Sequence, residues 1–289
     1  MRIAICLSGQ PRTWNYCYKT WFNLISKIKE ISNVDVDVFC HVWNFNTPSH
    51  DILIQKSLKN EIYNNDFQSI EVNNISDDEK IKFIKLLNPK SYIFENEEIS
   101  KSKLNELEIE GMKYFNNHGG TAISWAGSQF YSIMRSCHLK KKYEIDNGFR
   151  YDICFRMRYD LFFDDEQIDF FSNIDFKIPK YNTLYTCHTR KIGVMQFPFY
   201  EIGDIFWYSD SLTFDRICDF YRWLPIIGKN SFNKSLEIST EQCLYFYCKM
   251  LRMEIKPLLI DPKIYRDENH LIDKEDVGMK GELKKNEII

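Results

Sequence analysis

The sequence predicts an α/β fold in which a mostly parallel sheet is flanked by helices. Residues 2–8 (RIAICLS) form an apolar run of strand length that begins almost at the first residue. An amphipathic stretch follows, and residues 34–43 (VDVDVFCHVW) then form a second apolar run. Two strands that are joined through a helix normally lie parallel in one sheet. This βαβ unit therefore makes a parallel sheet the default arrangement.

The composition is that of a folded globular protein. The chain has 289 residues, of which 44% are hydrophobic and 16% aromatic, so apolar material for a large core is present. This composition excludes disordered, collagen-like and low-complexity classes. The 38 basic and 41 acidic side chains give a formal net charge of -3, whereas a general nucleic-acid binder needs a basic surplus. We therefore expect no nucleic-acid partner.

The cysteines and the apolar runs indicate the compartment. The nine cysteines include no C-x-x-C pair, and most lie within apolar runs, which favours reduced core residues in a cytoplasmic protein over a disulfide scaffold or a zinc site. The apolar run at residues 3–7 is shorter than the roughly 7–15 residues of a signal-peptide core. No segment approaches the ~20 apolar residues of a membrane span, so we expect a soluble protein without a transmembrane segment.

Helix and strand patterns alternate along the rest of the chain. Apolar residues at helical spacing follow Thr13, a candidate N-cap, and predict a helix to about residue 31. A long amphipathic stretch at residues 124–144 predicts another helix, which Asn147-Gly148 would end. Further helices are predicted at residues 51–63, 77–87, 99–115, 211–224 and 240–253. Further strands are predicted at residues 67–72, 91–94, 151–163, 174–179, 183–186 and 203–208. Loops are predicted at residues 116–120 and at the acidic residues 164–166.

The first candidate site directly follows the first strand. Ligands of open α/β sheets bind outside the carboxyl ends of the strands. Gly9 would let a ligand approach the backbone, Ser8 and Gln10 offer hydrogen bonds, and Arg12 offers a guanidinium fork for phosphate or a base edge. The segment matches neither the P-loop nor the G-x-G-x-x-G pattern. A plain tight turn followed by a surface arginine explains it equally well.

The second candidate site is the charged end of the strand predicted at residues 151–163. Side chains alternate along a strand, so Arg156, Arg158 and Asp160 would share one face. Such charges cannot be buried at low cost unless they are paired. The group is therefore either an internal Arg–Asp salt-bridge ladder or a diphosphate and metal site. Its apolar flanks place it at the edge of the core, which favours the second interpretation.

Two acidic residues further along the chain are candidates for proton transfer. Asp204 follows Gly203, and Glu241 lies in the first turn of a predicted helix. A carboxylate in that turn is stabilised by the helix dipole and by capping, so a structural role alone explains Glu241. The six histidines show no metal-binding spacing.

The sequence resembles the glycosyltransferases of bacterial surface-polysaccharide clusters, phages and large viruses, which adopt a GT-A-like fold. The resemblance spans most of the chain and is weakest at residues 44–117. The matching segments are residues 3–12 (IAICLSGQPR), 36–43 (VDVFCHVW), 128–135 (SQFYSIMR), 151–152 (YD), 156–160 (RMRYD), 203–204 (GD) and 241–242 (EQ). It implies a Rossmann-type, mostly parallel sheet flanked by helices.

The resemblance also implies an activity, a hexosyltransferase that moves a sugar from a nucleotide-diphosphate sugar to a hydroxyl acceptor such as a saccharide. A UDP-hexose is the favoured donor. Asp160 takes the place of the last acid of the family's D-x-D metal motif and Arg158 replaces the first, so partial dependence on Mn²⁺ or Mg²⁺ is expected. Glu241, and after it Asp204, would be the catalytic base if the enzyme inverts. The donor would be bound by Ser8, Gly9, Gln10, Arg12, Arg135 and Arg158.

The implied organisation is a single domain over residues 1–266 with a charged, weakly packed tail at 267–289. Its nucleotide-binding part covers about residues 1–163 and its acceptor-side part about residues 164–266. Because a fold does not fix a function, two alternatives stay open. One is a catalytically inactive nucleotide- or sugar-binding module of the same fold, and the other is a different α/β nucleotide-dependent transferase.

Overall fold

A seven-stranded sheet lies at the centre of the molecule. The computed structural model describes residues 1–32, 34–46, 73–96, 98–99, 102, 121–173, 178–187, 189–192, 199–224, 226, 240–258, 263–267 and 270–272. The strands are β1 (Arg2–Gly9), β2 (Asp35–Trp43), β3 (Phe45–Asn46), β4 (Asn73–Asn74), β5 (Ser91–Glu95), β6 (Ile153–Met157), β7 (Leu161–Phe162), β8 (Thr183–Thr186), β9 (Thr189–Ile192), β10 (Phe199–Ile202), β11 (Phe206–Ser209), β12 (Glu254–Pro257), β13 (Lys263–Asp267) and β14 (His270–Ile272). The helices are α1 (Trp14–Ser32), α2 (Asp77–Leu87), α3 (Thr121–Asn147), α4 (Asp165–Asn173), α5 (Ser211–Cys218) and α6 (Thr240–Met250).

The strand order of this sheet is β12-β8-β11-β6-β1-β2-β5. All of these strands run in one direction except β11, which is antiparallel to both of its neighbours, β6 and β8. The carboxyl ends of the parallel strands therefore meet at one edge, which we call the carboxyl edge. The predicted α/β class, with a mostly parallel sheet flanked by helices, is confirmed.

Helices cover both faces of the sheet because successive strand residues point to opposite sides. Ile3, Ile5 and Leu7 of β1 face an apolar cluster with α1, α2 and α4. Ala4 and Cys6 face a second cluster with α3, α5 and α6. All nine cysteines are buried free thiols, which confirms the prediction that they are core residues.

The βαβ unit at the amino terminus has the predicted form. Strand β1 pairs with β2 in parallel register from Arg2 opposite Asp35 to Gly9 opposite Val42. Between the two strands, α1 begins at Trp14, directly after the predicted N-cap position. On α1, the ring N–H of the buried Trp21 donates to the carbonyl oxygen of Leu161 at 2.6 Å. The first strand and its helix are thereby tied to the chain that follows β6.

The strand predicted at residues 151–163 is wrong beyond Met157, where β6 ends. Tyr159 lies in a turn, and its buried hydroxyl donates to the carbonyl oxygens of Leu7 at 3.3 Å and His41 at 3.1 Å. The chain therefore bends over the ends of β1 and β2 instead of continuing the strand. Within residues 158–163 of the predicted strand, only the two residues of β7 are in strand conformation.

Two further predictions need correction. The acidic loop at residues 164–166 is the start of α4, because Asp164 accepts from the backbone N–H of Gln167 at 2.9 Å and Gln167 accepts from that of Asp164 at 3.2 Å. This reciprocal pair is a capping arrangement that begins a helix. The strand predicted at residues 203–208 begins only at Phe206, after a bend at Asp204 and Ile205.

The strand at residues 91–94 and the helices at 77–87 and 240–253 are present with small changes of boundary. The helix predicted at 211–224 is interrupted, because α5 ends at Cys218 and Asp219 forms a turn before residues 220–224 are again helical. In the tail predicted from residue 267, residues 270–272 form β14, which pairs with β13 beside β7. No helix within the described ranges is long and apolar enough to cross a membrane. Other predictions lie outside the described residues in whole or in part, namely those for residues 51–63, 67–72, 99–115, 116–120, 174–179 and 273–289.

Candidate functional site

The strand order places a topological switch point between β1 and β6. The chain continues from β1 to β2 on one side, and β6 pairs with β1 on the other side. In open α/β sheets, ligands bind outside the carboxyl ends of the strands at such a point. The segments that follow the two strands meet there, since Arg12 Nη1 lies 3.7 Å from Asp160 Oδ2. The fold therefore brings the first and second predicted sites together.

The turn after β1 leaves open space beside its backbone. Gly9 has a φ of +122°, which favours glycine, and a Cβ at this position would meet no described atom within 4 Å. Arg12 also has a positive φ of 29°, and its Nε donates to Gln10 Oε1 at 3.0 Å. The hydroxyl of Ser8 is buried and has no hydrogen-bond partner among the described residues. These residues stay predicted ligand contacts.

The turn after β6 holds a tight ion pair. Arg158 donates from Nε to Asp160 Oδ1 at 2.8 Å and from Nη2 to Asp160 Oδ2 at 2.7 Å. This is the bidentate geometry that gives guanidinium–carboxylate pairs their strength. The Asp160 side chain is only 2% exposed, whereas that of Arg158 is 16% exposed. Arg158 and Asp160 therefore form an ion pair, as the salt-bridge interpretation expects, although a turn, and not strand alternation, brings them together. Their roles at a diphosphate and metal site stay predictions.

Arg156 is a buried cation that lies beneath the same edge. Its side chain is fully buried, and its Nη1 donates to the carbonyl oxygen of Ile205 at 2.8 Å. Its Nε and Nη2 have no hydrogen-bond partner within the described part of the chain. Burial lowers the pKa of Arg156 to about 10, against the raising effect of Asp204. The guanidinium therefore keeps its charge at neutral pH.

Asp204 reaches the carboxyl edge because β11 runs antiparallel to its neighbours, so the residues before β11 lie where β6 ends. Its Oδ2 accepts a hydrogen bond from the side-chain amide of Gln129 on α3. No sequence pattern predicted a role for Gln129 or for Tyr159. The only signal was that both lie in segments that carry the resemblance, and neither residue type indicates a contact so distant in sequence.

Arg135 lies in a separate network on the β2–β5 side of the sheet. Its Nε and Nη2 donate to Glu95 Oε1 at 2.9 and 2.6 Å, and Glu95 Oε2 lies 3.1 Å from His41 Nε2. The other ring nitrogen of His41 lies 2.6 Å from the hydroxyl of Ser132. Burial lowers the pKa of His41. Burial alone would raise the pKa of Glu95, but the interactions with His41 and Arg135 outweigh the effect of burial, and the pKa of Glu95 is lowered. A structural ion pair thus engages Arg135, whose role in donor binding stays a prediction.

Glu241 lies in the first turn of α6, as predicted. This helix packs against β10, which ends at Ile202, two residues before Asp204. Glu241 thus lies on a helix that contacts the strand immediately before the bend at Asp204. Their catalytic roles stay predictions.

The residues at the switch point do not fit a divalent-cation site. Mg²⁺ and Mn²⁺ require several oxygen ligands, yet both oxygens of Asp160 accept hydrogen bonds from Arg158, and Arg12 lies beside them. Across the described ranges, no three His, Cys, Asp or Glu side chains are grouped so that they could hold a metal. A dication placed here would also be repelled by the guanidinium groups. The arrangement is suited to an anion.

Comparison with known proteins gives a distant structural likeness. No protein-family model and no curated protein matches the chain. Among solved structures, mouse xyloside xylosyltransferase 1 in its apo form aligns with 89% of this chain and 84% of its own chain. The sequence identity is 9% and the TM-score is 0.34. At this distance the functional assignment depends on the site itself.

Proposed function

We propose that the protein is a glycosyltransferase that binds a nucleotide-diphosphate sugar at the carboxyl edge, between β1 and β6. The observation that carries the proposal is the convergence of Arg12, Arg158 and the buried Arg156 with Asp160 and Asp204 at the switch point. Guanidinium groups bind phosphate oxygens through charge-assisted hydrogen bonds. The open space beside Gly9 lies at the same point.

The residue types at this edge suit transfer of a glycosyl group. The bond to the anomeric carbon breaks, and negative charge grows on the departing diphosphate while the sugar acquires oxocarbenium character. Preorganised cations beside the diphosphate stabilise that charge. A carboxylate can take the proton of the acceptor hydroxyl in an inverting reaction. Glu241 and Asp204 are the candidates for this step.

The donor and acceptor are proposed from the sequence resemblance, since no contact of the site distinguishes one sugar from another. We propose a UDP-hexose as donor and a saccharide hydroxyl as acceptor, which makes the protein a hexosyltransferase. The resemblance also implies a contribution from Mn²⁺ or Mg²⁺. The donor set at Asp160 does not fit that expectation, because guanidinium groups already occupy the carboxylate.

A nucleotide screen followed by a turnover assay tests the proposal. A ligand at 100 times its dissociation constant stabilises the folded state by about 2.7 kcal/mol, so a thermal-shift screen of UDP, GDP, CDP and ATP would detect binding. We expect UDP to give the largest shift and UDP-hexoses to be consumed when saccharides are added. Binding of UDP without any turnover would instead support an inactive binding module. A preference for ATP would support another transferase.

A further inference from the structure

The carboxylate that the sequence resemblance assigns to a metal is already neutralised by the chain. The buried Asp160 accepts two hydrogen bonds from Arg158, and Arg12 lies beside it. A cation at Asp160 would have to share the carboxylate with two guanidinium groups or displace the bidentate pair in this buried turn. Breaking a buried ion pair is strongly unfavourable, because it leaves an uncompensated charge.

Arg156 and Ser8 have polar atoms that no described group satisfies. The guanidinium of Arg156 is fully buried, and within the described part of the chain only its Nη1 makes a hydrogen bond. The buried hydroxyl of Ser8 lies on the same face of the sheet, because Cys6 pairs with Arg156 and Ser8 is two residues further along β1. Unsatisfied buried polar groups are rare and require an explanation. A negative charge at the edge above them would offset the cost of burying this cation.

We infer that Arg12, Arg156 and Arg158, and not a divalent cation, neutralise the diphosphate at this edge, so that nucleotide binding needs no metal. The inference rests on the proposed function, because it concerns the same donor site. Arg12 and Arg158 are partly exposed and would contact phosphate oxygens directly. Arg156 lies deeper and supplies fixed positive charge and unsatisfied donors. While no anion is bound, Asp160 neutralises the two outer guanidinium groups, and it competes with an incoming anion for them.

Calorimetric titration of the 289-residue chain with UDP tests the inference, in EDTA and then with Mn²⁺ or Mg²⁺ added. We expect the dissociation constants in the two buffers to agree within about threefold. Arg158→Gln removes a charge-assisted contact and should weaken UDP binding by about 10–100-fold in both buffers. Arg150→Gln is the matched control, since Arg150 precedes β6 at the opposite edge of the sheet and its side chain is half exposed. That variant should bind UDP within about twofold of the unmodified protein. Arg158→Lys, which keeps the charge but loses the fork, replaces Arg158→Gln if the latter does not fold.

Asp160→Asn distinguishes the two roles of the carboxylate by the direction of its effect. If arginines bind the diphosphate, the variant removes a competing anion, and UDP affinity in EDTA rises about two- to tenfold. If Asp160 is a metal ligand, affinity with Mn²⁺ falls instead. UDP binding that requires Mn²⁺ would overturn the inference and leave the proposed glycosyltransferase intact. Metal-free binding that Arg158→Gln does not weaken would overturn the assignment to arginines. If UDP, GDP and CDP all fail to bind in either buffer, both the inference and the proposed function are wrong.

Discussion

Replacing the buried Lys140 with methionine is expected to destabilise the fold by about 3–5 kcal/mol. Lys140 lies on α3, and its side chain is fully buried. Its Nζ lies 2.7 Å from Asp215 Oδ1 and 3.1 Å from Glu144 Oε2, and it donates to Ser211 Oγ at 2.6 Å. The ammonium group therefore joins α3 to α5 through Asp215 and Ser211, and the carboxylates of Asp215 and Glu144 are themselves buried.

The size of this destabilisation depends on the two carboxylates that Lys140→Met leaves buried without their cation. Methionine fills a similar volume, so a large cavity does not contribute. Glu144 would keep the hydroxyl of Ser211 at 2.5 Å and the backbone N–H of Tyr151 at 2.8 Å, but both carboxylates would lose their buried cation. Arg150, which lies 3.8 Å from Glu144 and is half exposed, offers partial compensation. Removing one partner of a buried ion pair destabilises a fold by about 3–5 kcal/mol. The compensation by Arg150 favours the lower end of this range.

Urea unfolding and calorimetry would measure the effect. At roughly 2 °C per kcal/mol for a chain of this size, the melting temperature should fall by about 6–10 °C. Lys142→Met is the matched control, because Lys142 lies on the same helix, is 74% exposed and pairs with Asp146 four residues later. Such a surface pair contributes under about 0.5 kcal/mol. Equal unfolding midpoints for the two variants would refute the account of a buried charge cluster.

Three other outcomes follow from the site and the core. Arg12→Ala should weaken UDP binding by about 1–3 kcal/mol, and an unchanged affinity would remove Arg12 from the donor site. If Glu241 or Asp204 is the catalytic base, Glu241→Gln or Asp204→Asn should lower turnover about 10²–10⁴-fold without changing the melting temperature. Full activity in both variants would indicate a retaining mechanism. The pKa of the buried His41 is lowered from 6.5 and that of Glu95 from 4.5, so the unfolded chain takes up protons before the folded protein does. Stability should therefore decline below about pH 6.5 and again below about pH 4.5, and urea midpoints that stay constant between pH 7.5 and 4 would contradict this.

Local sequence patterns, such as hydrophobic periodicity, predicted much of the fold. The strand, helix and strand at residues 2–43 follow from periodicity alone, because burial of one face is a local property of each element. The end of β6 did not follow, because Tyr159 bends the chain by bonding to the carbonyl oxygens of Leu7 and His41. Those partners are neighbours only once β1, β2 and β6 lie side by side. The start of α4 was signalled by Asp164 and Gln167 at capping distance, but the acidic composition favoured a loop.

The residue types in the sequence predicted part of the site. The contacts between the site residues depend on the order of the strands in the sheet, which the sequence did not predict. Ser8, Gln10 and Arg12 were expected at the end of the first strand, and the strand does end there. That Arg12 meets Asp160 requires β6 to pair directly with β1, which no local pattern encodes. Arg156 was recognised as a charged residue that needs a partner. Only the structure shows that two of its nitrogen atoms have none in the described part of the chain.

The direction of β11 decides whether Asp204 can belong to this site at all. The hydrophobic pattern of a strand is the same in either direction, so the sequence does not state which edge the residues before it occupy. In a wholly parallel sheet, the segment before a strand lies at the edge opposite the carboxyl ends. Because β11 is antiparallel to β6, with Phe206 opposite Met157, Asp204 lies instead at the carboxyl edge. Its contact with Gln129 and its charge interaction with Arg156 result from this reversal. The antiparallel direction of β11 therefore places the carboxylate of Asp204 at the same edge as the arginines of the proposed donor site. This geometry keeps Asp204 a candidate for the base.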